Sequence, residues 1–87
     1  MPIISQFYGI IVSMYFEDNN QHNLPHIHVR YNEHKATYDF QANLLNGKLP
    51  IKQTKLLEAW IIIHEEELIT LWKLMEEEGR MFKIKPL

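Results

Sequence analysis

Between Gly9 and Phe16 the chain alternates. Ile10, Val12, Met14 and Phe16 fall on one side, and Ile11, Ser13 and Tyr15 on the other. Side chains on a strand point to opposite faces in turn, so this segment predicts a half-buried strand. Glu17–Pro25 is polar, contains Asp18-Asn19-Asn20, and predicts a loop. His26–Tyr31 alternates again: Ile27, Val29 and Tyr31 form an apolar set, His26, His28 and Arg30 a polar one. Asn32-Glu33 predicts a short turn. His34–Phe40 follows as a third strand, with Ala36, Tyr38 and Phe40 inward and Lys35, Thr37 and Asp39 outward. Three such strands predict an antiparallel meander with one wet face. Asn46-Gly47 predicts a further tight turn, joining Leu44-Leu45 to Lys48-Leu49 as a small hairpin.

After Pro50 the period changes. Leu57, Trp60, Ile61, His64, Leu68, Leu71, Trp72 and Met75 form one continuous helical stripe. Pro50 suits the first turn and Gly79 the position just past the end. The stripe stays in phase across His64, which favours one long helix over residues 51–79. The alternative is a break at His64, with Glu65-Glu66-Glu67 as the acidic first turn of a second helix. Met81–Lys85 alternates and predicts an edge strand or tail, with Phe82 and Ile84 inward. The expected fold is α+β: a small antiparallel sheet of three to five strands with one long helix across one face. Residues 1–50 are mostly strand, 51–79 helix, and 80–87 strand or tail, all in a single domain.

Composition narrows the class. The chain has 87 residues, 46% of them hydrophobic, which is too apolar for a disordered chain. Cysteine is absent, so disulfides and thiolate chemistry are excluded. No apolar run reaches the ~20 residues that a spanning helix needs. No basic segment followed by an apolar one opens the chain, so no signal peptide is expected. A bacterial-type cytoplasmic protein is the expected setting. The formal net charge of −2 weighs against strong nonspecific nucleic-acid binding. Trp60, Trp72, Leu56, Ile62, Ile63, Ile69 and Leu74 place apolar groups on more than one helix face. They predict a homodimer or a cognate protein partner.

Candidate chemistry gathers in the histidines. Four of the five lie between His22 and His34. His26 and His28, at i and i+2 on a strand, project from one face roughly 6–7 Å apart. With His22, or with His34 across the hairpin, they can ligate zinc through three protein ligands. They can equally be a solvated face. The preferred reading is a metal-free polar site, because the same face presents Tyr15, Ser13, Arg30, Lys35, Thr37 and Asp39, and Lys83 and Lys85 can join it. Imidazoles titrate near neutrality and exchange protons with substrate. Arg30 can clamp a phosphate bidentately, or pair with Asp39 across the hairpin. His26 and His28 as acid–base pair, Arg30 as clamp and Tyr15 as auxiliary donor are the groups for cleaving a phosphodiester with an RNA 2′-hydroxyl. His34 is expected at the surface and His64 in the core.

Several segments together carry a resemblance. They are Phe7–Phe16, Pro25-His26-Ile27-His28-Val29-Arg30-Tyr31, Gly47-Lys48-Leu49-Pro50, Trp60, Glu66-Glu67-Leu68 and Trp72. The chain resembles, over nearly its whole length, the small bacterial domain of unknown function numbered four-one-six-zero. That family's hallmark is Pro-Pro-His-Phe-His; here Leu24 replaces the first proline and Ile27 the phenylalanine, and both histidines stand. The resemblance implies a toxin-like component of a two-gene toxin–antitoxin module, with a small antitoxin-like cognate protein as partner.

Overall fold

The computed structural model describes residues 2–14 and 24–87. The fold is α+β. Five strands form one antiparallel sheet in sequence order: β1 Ile3–Phe7, β2 Ile10–Ser13, β3 His26–Tyr31, β4 His34–Asp39 and β5 Leu44–Gly47. Helices α1 (Ile51–Ile63) and α2 (Glu65–Glu78) follow.

The predicted register holds. Val12 stands opposite Val29, Val29 opposite Ala36, and Ile27 opposite Tyr38. These residues, with Ile10 and Met14, are buried in one core with Leu57, Trp60, Ile61, Leu68, Leu71 and Trp72. The helices therefore cover the face that the apolar alternation marks. The opposite face is left to Ile11, Ser13, His28, Arg30, Lys35 and Thr37. Among the described residues, no helix is long and apolar enough to cross a membrane.

Three elements differ from expectation, each for a local reason. Strand β1 is additional. Phe7 pairs with Ile10, so Tyr8-Gly9 is a two-residue hairpin loop with both φ positive, at 48° and 79°. That turn type favours Asn-Gly or Asp-Gly, and tyrosine hides it. Strand β5 pairs with β4, with Ala36 opposite Gly47 and Thr37 opposite Asn46, and does not fold back on Lys48-Leu49. Gly47 serves close approach: a Cβ there would lie 2.1 Å from the Lys35 carbonyl oxygen, at a φ of +77°.

The third difference is the helix, which is two helices. His64 leaves helical geometry at φ −109°, ψ 21°. Glu65–Glu67 form the acidic first turn of α2, where the macrodipole favours carboxylates. His64 Nδ1 lies 2.6 Å from Glu67 Oε1, and its ring packs on Trp60 at 5.4 Å. Of the two forms expected for residues 80–87, strand or tail, the structure shows the tail. The Ile84 N–H donates to the Ile4 carbonyl at 2.8 Å and the Trp60 indole N–H donates to the Lys85 carbonyl. Ile84 is buried as expected, whereas Phe82 is partly exposed.

Candidate functional site

Strand register sorts the open face into rungs. One rung runs Ile3, Ser13, His28, Thr37, Asn46 across all five strands; the next runs Gln6, Ile11, Arg30, Lys35. All of these except Gln6 line a groove of about 610 Å³ that takes in Ser13, His28, Arg30, Lys35, Thr37 and Asn46. Asn46 and Gly47 were missed by sequence reasoning, because their dipeptide signals a hairpin turn. Only the pairing with β4 brings them to the groove.

Electrostatics single out the second rung. Arg30 and Lys35 are directly opposite each other on neighbouring strands. Like charges so placed are destabilising. Among the described residues, no carboxylate lies within ion-pair distance of either. The groove is therefore locally positive on a chain of net charge −2. An anion lying over the pair would relieve their repulsion.

The Arg30–Asp39 pair allowed by the sequence does not form. Asp39 stands opposite His26, two rungs from Arg30, and its carboxylate turns into the β4–β5 connection. It accepts from the Gln41 N–H at 2.9 Å, the Asn43 N–H at 2.8 Å and the Asn43 Nδ2 at 3.0 Å. Partial burial alone would raise its pKa. These hydrogen bonds outweigh burial and hold it below the usual aspartate value. Asp39 is thus an organiser of the turn, and not a group of the groove.

The histidines separate. His28 lines the groove and is half-buried, with its Nε2 shielded from solvent. His26 is corrected from an exposed residue of the open face to a buried one, 7% accessible. Its ring meets His28 edge-on at 5.0 Å and Trp72 at 5.5 Å. Trp72 of α2 covers the end of β3. His26 Nδ1 lies 2.6 Å from the Leu24 carbonyl. A carbonyl only accepts, so Nδ1 carries the proton and Nε2 is the basic nitrogen of the neutral ring. His34 stacks on Tyr31 at 6.5 Å beyond the groove, at the turn where the sequence expects it. Lys83 and Lys85 line a separate hollow beside β1 and do not extend the basic strip. Tyr15 and His22 lie outside the described residues. Among the described residues, no three His, Asp or Glu side chains group as metal ligands do.

An antiparallel sheet backed by two helices, with a groove carrying Arg30 and Lys35 on its free face, defines the class of small α+β domain. Residues 9–73 match the family described as Domain of unknown function (DUF4160), and the chain belongs to that family. The match takes in β2 to β5 and so every groove residue named above except Ile3. No curated protein and no solved structure matches the chain.

Proposed function

We propose that the groove binds single-stranded RNA by its phosphates and cleaves it without a metal ion. The observation that carries this reading is the Arg30–Lys35 rung, uncompensated by any described carboxylate and adjacent to His28. Residues two apart on a strand, His28 and Arg30 lie roughly 6–7 Å apart on one face. That spacing suits one phosphodiester: Arg30 and Lys35 hold its non-bridging oxygens while His28 meets the neighbouring ribose. His28 removes the proton from the 2′-hydroxyl once its ring turns to bring Nε2, shielded from solvent in the free protein, into the groove. The 2′-oxygen attacks phosphorus, the bond to the 5′-oxygen breaks, and a 2′,3′-cyclic phosphate remains. The protonated imidazole then gives that proton to the departing 5′-oxygen, so atoms and charge balance. His26 takes the role of a positioning residue. Its ring is in edge contact with His28, which leaves no space for a phosphate between them, and Leu24 and Trp72 hold it. Tyr15 is kept as an auxiliary donor. The cellular setting of this proposal is a toxin-like component of a two-gene module, silenced by a cognate protein.

A labelled RNA oligonucleotide tests the proposal. The wild type should cut it in the presence of chelator, and a 2′-deoxy substitution at the cut position should block cleavage. His28→Ala should lower the rate about 10²–10⁴-fold while leaving binding intact. Arg30→Lys should weaken both, since a point charge does not replace a bidentate fork. Binding should fall with salt at a log–log slope near −0.7, the value for one neutralised phosphate on a single strand. Equal cleavage by wild type and His28→Ala would overturn the mechanism. Stoichiometric zinc lost on replacing His22, His26 and His28 would replace it with the metal reading.

A further inference from the structure

We infer that Tyr8 is a stacking platform for a base of the RNA strand whose phosphate the groove holds; this rests on the reading of the groove as an RNA site. Tyr8 and Gly9 form the tip of the β1–β2 hairpin. Tyr8 sits at φ 48°, in the left-handed region that side chains rarely adopt and that asparagine tolerates best. The residue is also 68% accessible. Among the described residues, its side chain has no hydrogen bond or ring contact. A bulky aromatic thus occupies a strained and exposed position, and neither kind of contact holds it there. Strain kept without a structural reason points to function. The place of the tip supplies the ligand chemistry. Gly9 lies against the Tyr31 ring: a Cβ there would come 3.1 Å from Cε1 of Tyr31, at a φ of +79°. The tip is thereby pinned to the end of β3, next to Arg30. Gln6, Ile11, Arg30 and Lys35 share one rung. Tyr8 stands two residues beyond that rung on β1, about 7 Å along the strands. An exposed ring beside a like-charged cationic pair is what single-stranded nucleic acid uses: cations take the phosphates and the ring takes a base. A ligand of phosphate alone would use the rung and leave Tyr8 idle. Every base has a π-face, so Tyr8 adds affinity without choosing sequence.

Anisotropy titrations of the full chain with two labelled probes test the inference: a single-stranded RNA, and inorganic polyphosphate, which carries charge and no bases. Tyr8→Asn should raise Tm, because asparagine suits the turn, so unfolding cannot account for weaker binding. It should raise the Kd for RNA about 5–100-fold, and Tyr8→Trp should bind at least as tightly as the wild type. Polyphosphate should bind Tyr8→Asn and the wild type alike, whereas Lys35→Glu should lose both probes. Tyr8→Asn binding RNA as tightly as the wild type overturns the inference and leaves the groove reading standing. So does an equal loss of affinity for both probes, or a Tyr8→Asn protein less stable than the wild type, since the ring would then serve the fold. A wild type that binds polyphosphate but not RNA, or neither, overturns the groove reading and this inference with it.

Discussion

The two faces of the sheet are built from the same strands by alternate residues, yet opposite rules govern them. On the covered face Val12, Val29, Ala36, Ile27 and Tyr38 meet helix side chains with almost no exposure, and each contact adds to stability. On the open face Arg30 is set against Lys35, an arrangement that costs stability and brings no described partner. A fold under selection for stability alone would have no reason to hold that pair. The contrast assigns the covered face to folding and supports the proposal that the open face meets a ligand.

The largest effect in this comparison should come from the covered face. Trp60 is fully buried, packs on Phe7 at 5.4 Å and donates its indole N–H to the Lys85 carbonyl. Trp60→Ala should cost about 3–5 kcal/mol in denaturant unfolding, and should free the tail from β1. Gly47→Ala comes next. It forces a Cβ onto the Lys35 carbonyl at a positive φ, so it should destabilise by about 1–3 kcal/mol and detach β5 from β4. Hydrogen exchange of the β4 amides checks this. A Gly47→Ala protein as stable as wild type would show that β5 does not close the groove.

Acid should act on the turn beside the groove. The Asp39 pKa is depressed in the folded state, so its contribution is complete above the ordinary aspartate value of about 3.9. It is lost as pH falls through the lower, folded value. Unfolding curves taken across that acid range should show stability dropping, and Asp39→Ala should flatten the drop. An unchanged profile in Asp39→Ala would mean that the carboxylate does not hold the turn.

The covered face was the more legible from sequence because burial imposes a strict period. Ile27, Val29 and Tyr31 against His26, His28 and Arg30 set the register of β3, and Ala36 and Tyr38 set that of β4. What stayed hidden depends on single residues acting against their usual signal. Tyr8 takes a turn position that glycine or asparagine normally marks, so β1 goes unseen. Asn46-Gly47 imitates a hairpin and conceals β5. His64 preserves the apolar phase while leaving helical geometry, so one stripe runs over two helices. The burial of His26 depends on Trp72, which only the tertiary fold brings to it. The groove was half legible: Ser13, His28, Arg30, Lys35 and Thr37 share a predicted face, but Asn46 joins them only through long-range pairing.

The smallest change in stability carries the sharpest test. Lys35→Glu turns the like-charged rung into an Arg30–Glu pair, which should stabilise the fold by about 0.2–1 kcal/mol. The same substitution cancels the positive charge of the groove. Measured side by side, thermal unfolding and the anisotropy of a fluorescent single-stranded RNA should move in opposite senses: Tm slightly up, RNA binding lost. Unchanged RNA binding by Lys35→Glu, or a wild type that never binds, would contradict the assignment of the open face to an anionic ligand.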